Sequence, residues 1–214
     1  PGLIGGVIVG LMTAKAIAAV HRIPLYAINH LEGHALSVRA CANVSFPYLL
    51  FLMSGGHCQL MVVYGPERYR LIGQTLDDAI GEAFDKAAKM MELGYPGGPA
   101  IEAWAAHGDA ERFSLPHPLK ERAGCDMSFS GLKTAVRTTL LNLQQAQGQI
   151  SERDKADLAA SLQRTLRDIV AERLSRAALY CQKQEIRVDA MVIAGGVAAN
   201  QTLRRALEQV AHRF

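Results

Sequence analysis

Two histidines four residues apart, His30 and His34 in the stretch INHLEGHALS, are residues whose type and spacing could hold a metal ion. If residues 30–36 are helical, positions i and i+4 share one face about a turn apart, and two imidazoles there can occupy neighbouring positions on one ion. A zinc protease places its glutamate directly after the first histidine, where it acts as general base. Here Leu31 holds that position and Glu32 follows it. Glu32 therefore points roughly 160° away from the histidine face. The spacing does not support peptide hydrolysis, and the bland alternative is a pair of ordinary helix histidines.

A different chemistry is written in the glycines. In LMSGGHCQL an apolar run enters Gly55-Gly56, where residues without Cβ let backbone N–H groups approach a phosphate and the Ser54 hydroxyl can add a hydrogen bond. A tight hairpin would use the same glycines. The pattern returns in VIAGGVAANQTL, where an apolar run enters Gly195-Gly196 and Asn200 sits just inside a helix start, either as its cap or as an amide that reads a base or ribose. Two strand-to-glycine turns on an α/β chain suggest two halves facing one phosphate-bearing ligand. Between them Asp78, Glu82 and Asp85 fall on one face of a helix predicted over 77–92. They are either solvated partners of Lys86 and Lys89 or carboxylates that accept from ribose hydroxyls. In DMSFSGLKTAV, Ser128 or Ser130 reads as an N-cap, with Lys133 opposing the helix dipole in the first turn.

The elements that must position these groups follow from hydrophobic periodicity. A small-residue helix is predicted over 5–20, a short buried strand in IPLYAI (23–28), then the histidine helix. PYLLFLM and CQLMVVY form a hairpin around SGGH. GYPGGP (94–99) ends the acidic helix, residues 105–127 are a loop-rich connection, and a long helix over 154–181 carries an apolar face from Leu158 to Cys181. A buried strand in DAMVIA and a last helix complete the reading.

The chain has 214 residues, half of them apolar, and a net charge of +3, which is compatible with a polyanion partner but does not require one. Cys41, Cys58, Cys125 and Cys181 form no CxxC pair, which argues against a zinc ribbon or disulfide framework and for a reducing compartment. The opening PGLIGGVIVGLMTAKAIAAV is apolar enough to raise a membrane span. Lys15 interrupts it, and Gly2, Gly5, Gly6 and Gly10 suit close packing, so it reads as a packed helix.

Taken together, NHLEGHALS, LMSGGHCQL, LDDAIGEAFDKAAKMM, YPGGP, DMSFSGLKTAV and VIAGGVAANQTLRRAL resemble the bacterial and organellar tRNA threonylcarbamoyltransferase family TsaD, in the family's order along the whole chain. The resemblance implies an α/β, actin-like ATPase fold of the ASKHA (sugar kinase, Hsp-type) class. Residues 1–45 would be the end of a first half and 46–214 most of a second. It implies transfer of the threonylcarbamoyl group of threonylcarbamoyl-AMP to N6 of adenosine 37 in tRNAs that read codons beginning with A. His30 and His34 would ligate a divalent metal, iron or zinc. Leu52, Met53, Ser54, Gly55 and Gly56 would line the substrate pocket, and Asp85, Gly98 and Asn200 would contact the nucleotide part.

Implied partners are tRNA, an inactive paralogue subunit and a small ATPase, of TsaB and TsaE type if the source is bacterial, with no membrane. The implied location is the cytoplasm, or the mitochondrial matrix for an organellar form. The family's further aspartate metal ligand and its N-terminal segment lie beyond this sequence, so the chain is expected to be the central part of the enzyme. No residue stands out as general base. The competing readings are a metalloprotease, which the place of Glu32 opposes; a small-molecule kinase or other ATPase on the same fold; and a non-catalytic paralogue, which would lack the histidine pair.

Overall fold

A computed structural model describes residues 4–214, so Gly2 of the apolar opening stretch lies outside the described residues. The chain runs through α1 (Ile4–His21), α2 (His30–Leu36), α3 (Val38–Cys41), β1 (Tyr48–Met53), β2 (Cys58–Gly65) and β3 (Arg68–Gln74). It continues with α4 (Ile80–Met91), α5 (Gly97–Ala105), α6 (Ser130–Gln147), α7 (Glu152–Lys183), β4 (Met191–Ala194), a 3₁₀ turn (Gly196–Ala199) and α8 (Gln201–Ala211). Among the described residues the strands form one sheet in the order β3-β2-β1-β4.

The β1–β2 hairpin predicted around SGGH is present and antiparallel, with Met53 opposite Cys58 at its tip. β4 joins β1 in parallel, with Leu52 opposite Ala194 at the end where both strands enter their glycines. Every residue of β1 is buried, as a continuous apolar run predicts for a central strand covered on both faces. Leu49, Phe51 and Met53 pack with Leu60, Val62 and the helices α4, α6, α7 and α8, while Tyr48, Leu50, Met61 and Val63 pack with Ala35 of α2 on the opposite face. The Tyr48 hydroxyl donates to Ala35 O at 2.7 Å and ties α2 to the sheet.

Several expectations are corrected. Residues 23–28 form no strand and are exposed, because an apolar run becomes a strand only beside a strand with free ladder groups, and none of the described strands pairs with it. The acidic helix begins at Ile80 rather than 77, so Asp78 precedes it and does not share its face. Asp78 instead reaches Lys86 at 2.7 Å, while Asp85 accepts from the Gly97 amide at 2.7 Å rather than pairing with Lys89. α4 is closed before GYPGGP, by Glu92 in the left-handed region (φ 58°), and the glycines and prolines of GYPGGP open α5 instead.

Neither Ser128 nor Ser130 caps α6. Phe129 occupies the cap position, and the distant Asp77 carboxylate supplies the acceptors for the amides of Phe129 (2.8 Å) and Ser130 (3.2 Å) and for the hydroxyls of Ser128 and Ser130. Burial raises the Asp77 carboxyl, but these four donors outweigh it and hold the group below its ordinary value. Lys133 lies 3.8 Å from Asp78, which offsets its unfavourable place in the first turn.

Replacing Asp77 with Ala is expected to lower stability by about 1 kcal/mol, as loss of a helix cap does, read as a lower urea midpoint at unchanged slope. Unchanged stability would contradict the assignment of Asp77 as the cap of α6.

Candidate functional site

Because β1 and β4 are parallel, their C-terminal ends lie side by side, and so do the two glycine turns. The approach is very close: a Cβ on Gly195 would stand 2.2 Å from Met53 O, and Gly195 has φ +95°, a conformation that L side chains rarely adopt. α4 closes on the same point, since a Cβ on Gly81 would meet Gly55 Cα at 2.7 Å. The Ser54 hydroxyl accepts from the His57 amide (3.0 Å) and, at longer range, from Gly56 (3.4 Å). It therefore locks the turn from within.

A cavity of about 320 Å³ opens where these elements meet. Its walls include Gly55, Gly81, Asp85, Gly98, Glu102 and Asn200. It thus brings together four of the residues expected to bind substrate: Gly55, Asp85, Gly98 and Asn200. Leu52 and Met53 are fully buried in β1 and support the turn from behind, and Gly56 lies on the exposed tip outside the cavity wall. The first turns of α4 and α5 and the N-cap Asn200 of α8 contribute to the wall, and the N-terminal end of a helix favours an anion. Asp85 and Glu102 each hold a backbone amide, of Gly97 and of Gln201 (2.7 Å), and each keeps acceptor capacity for ligand hydroxyls. Glu102 was missed from sequence; its one signal was its place one turn beyond Gly98.

Asn200 is the N-cap of α8, not a residue inside it. Its Oδ1 accepts from the Leu203 amide at 3.0 Å, and it is 6% exposed on the cavity wall. The cap alternative is therefore observed, and the place on the wall leaves an amide nitrogen directed elsewhere.

The histidine pair stands on the other side of the hairpin tip. α2 forms as predicted, with Asn29 accepting from the Leu31 amide at 2.9 Å as its cap. The His30 and His34 rings are 4.5 Å apart between centroids, and His57 of the hairpin tip lies 6.2 Å from His30. His30 is held below the usual imidazole range, first by desolvation and then by its neighbour His34. Rings this close can both reach one ion at the roughly 2.0–2.1 Å of a metal–nitrogen bond. Among the described residues no group of three metal-ligating side chains assembles. Glu32, in the wrong place for a protease, has a structural task. It accepts from the Tyr69 hydroxyl (2.7 Å) and the Glu67 amide (2.9 Å), which fixes α2 against the β2–β3 hairpin. Desolvation and then Glu32 push the Tyr69 hydroxyl up to about 12.

The family model of tRNA N6-adenosine threonylcarbamoyltransferase (TsaD) matches residues 1–214. The chain belongs to this family. A Rhodospirillum rubrum relative of that name is 59% identical over 213 residues, covering all of this chain and 58% of its own length. One from Roseobacter denitrificans is 53% identical over 211 residues, covering 99% of this chain and again 58% of the relative. The chain therefore spans a little under three fifths of the length of these relatives. Component A of the (R)-2-hydroxyglutaryl-CoA dehydratase of Acidaminococcus fermentans superposes with a TM-score of 0.50 at 18% identity, covering 89% of this chain and 62% of that one. That likeness concerns the fold alone. With the family match it establishes the α/β, actin-like ATPase fold that the sequence resemblance implied.

A Gly195→Ala substitution is expected to destabilise the chain by more than about 1 kcal/mol, since the added carbon meets a carbonyl and the backbone conformation is unsuited to it. Thermal unfolding measures this; a neutral result would mean that the two turns do not approach as described.

Proposed function

We propose that the full protein containing this chain transfers the threonylcarbamoyl group of threonylcarbamoyl-AMP to the N6 amine of adenosine 37 in tRNAs reading codons that begin with A. The observation that carries this reading is the β1–β2 hairpin tip. Through Gly55 it borders the cavity, and through His57 it lies beside His30. One elongated ligand can thus rest its nucleotide in the cavity and its acyl end near the histidines.

In this reading the N-terminal ends of the helices around the cavity favour the phosphate through their dipoles, and Asp85 and Glu102 accept from ribose hydroxyls. Gly98 leaves room for the nucleotide, and the Ser54-locked turn, backed by Leu52 and Met53, supports Gly55 against it, with Gly56 on the exposed tip. The adenine amine forms a bond to the carbamoyl carbon, the bond from that carbon to the phosphate oxygen breaks, AMP departs and the amine proton passes to solvent. His30 and His34 would hold a divalent ion, iron or zinc, as neutral imidazoles. When bound, such an ion polarises the acyl or phosphate oxygens as a Lewis acid and template. Two imidazoles are a partial ligand set, and the family's aspartate would complete it.

We further propose that residues 1–45 belong to a first actin-like half and 46–214 to a second. α1 supports this division. None of its residues is buried, and Ile4, Ile8, Val9, Met12, Ile17 and Val20 are more than half exposed. By length and composition α1 could cross a membrane. Its Lys15 and its glycines suit the face of another protein layer better. The proposed setting is the cytoplasm, or the mitochondrial matrix for an organellar form, with tRNA as substrate and an inactive paralogue and a small ATPase as partners.

The test is nucleoside mass spectrometry of unmodified tRNA after incubation of the full-length protein with threonylcarbamoyl-AMP, metal and partner proteins. The product is expected with the unaltered protein. Replacing His30 and His34 together with Ala is expected to remove bound metal and reduce product at least a hundredfold while the circular dichroism spectrum is kept. Full transfer by the metal-free variant would contradict the histidine assignment. No product at all, together with metal-independent ATP turnover, would favour a small-molecule kinase instead.

A further inference from the structure

Gln163 lies in the middle of α7, among Leu158, Leu162, Leu166 and Ile169, and is only 7% exposed. A buried amide in an apolar stripe is costly unless both its ends are hydrogen-bonded, and here both are. Its Oε1 accepts from Asn200 Nδ2 at 2.8 Å and its Nε2 donates to Thr202 Oγ1 at 3.1 Å. With the Leu203 amide donating to Asn200 Oδ1, this forms a single relay from the α8 backbone through Asn200 and Gln163 to Thr202.

The direction of the relay is fixed. The backbone N–H of Leu203 can only donate, so Asn200 must turn its oxygen to it and its NH₂ toward Gln163. Gln163 must then accept with its oxygen and donate onward to Thr202. Flipping the Asn200 amide would set donor against donor at Leu203, whatever Gln163 did. One Nδ2 hydrogen is used on Gln163 and one remains, on a residue that forms the cavity wall.

We infer that Gln163 is a positioning residue that holds the Asn200 amide in place, in the orientation that the Leu203 N–H sets, so that Asn200 meets the ligand as a hydrogen-bond donor. The group facing Asn200 is then an acceptor: a ring nitrogen, a ribose oxygen or a phosphate oxygen. The carboxylates of Asp85 and Glu102 offer acceptors on the same wall, so the cavity presents a donor on one element and acceptors on two others. This inference rests on the nucleotide reading of the cavity, and it assigns a role to a residue that touches no ligand.

The test uses AMP as probe and isothermal calorimetry on the full-length protein, with thermal unfolding measured in parallel. Gln163→Met, which keeps the volume and removes the acceptor, is expected to weaken AMP about five- to tenfold, the cost of one lost hydrogen bond. Gln163→Glu, which keeps an acceptor for Asn200, is expected to bind within about twofold of the unaltered protein. Added to Asn200→Ala, Gln163→Met is expected to cost nothing further, because the two residues act as one unit. If it costs the same in both backgrounds, Gln163 acts on the fold rather than through Asn200, and the inference is overturned. Gln163→Glu binding as weakly as Gln163→Met would also overturn it. Thr202→Val removes the outer anchor without altering α7; it is expected to weaken AMP in the same direction, and unchanged affinity would contradict the relay. Failure of the unaltered protein to bind AMP is a different result, since it would contradict the nucleotide reading itself.

Discussion

The parallel pairing of β1 with β4 is the constraint on which the candidate site depends. An antiparallel neighbour would have sent its glycine turn to the opposite edge of the sheet. The parallel one puts Gly195-Gly196 beside Gly55-Gly56, at the carboxyl ends of the strands where open α/β sheets form their ligand crevices. Contact between the turns is tight enough to exclude a side chain at Gly195, and the N-terminal ends of α4, α5 and α8 are drawn to the same point. The cavity is thus a consequence of strand direction and of carbons that are missing from the turns.

The hairpin tip links that cavity to the histidine pair. Ser54 closes the turn on itself, so Gly55 and His57 are held in a fixed relation on either side of it. α2 is fixed in its turn by two long-range bonds, Tyr48 of the buried β1 to Ala35 and Tyr69 of the largely exposed β3 to Glu32. The histidines therefore belong to the same rigid frame as the glycines, although they lie on a helix with only one fully buried residue.

Elements with a strong local signal were legible in the sequence. The β1–β2 hairpin, the histidine helix, the long helix α7 and the β4-to-glycine turn are all where periodicity and turn residues place them. What local pattern could not reveal was set by partners far along the chain. β3 reads RYRLIGQ, largely exposed and with little alternation, and it is a strand because β2 offers it a ladder edge. The run at 23–28 has stronger apolar character but pairs with none of the described strands, so it stays coil. Asp77 caps a helix fifty residues away, and the serines beside that helix looked like better candidates than they are. In the site, glycines and Asn200 announced themselves by type, whereas Glu102 and Gln163 matter through α8, which no spacing within α5 or α7 encodes.

The central claim is that the cavity and the histidine pair hold two ends of one ligand. The most direct measurement is a crystal structure of the full-length protein with a non-hydrolysable analogue of threonylcarbamoyl-AMP and a divalent metal. The account predicts the nucleotide between Asp85, Gly98 and Asn200, its phosphate at the glycine turns, and its acyl end beside His30 and His34. A nucleotide bound outside this cavity, or an acyl end directed away from the histidines, would contradict it.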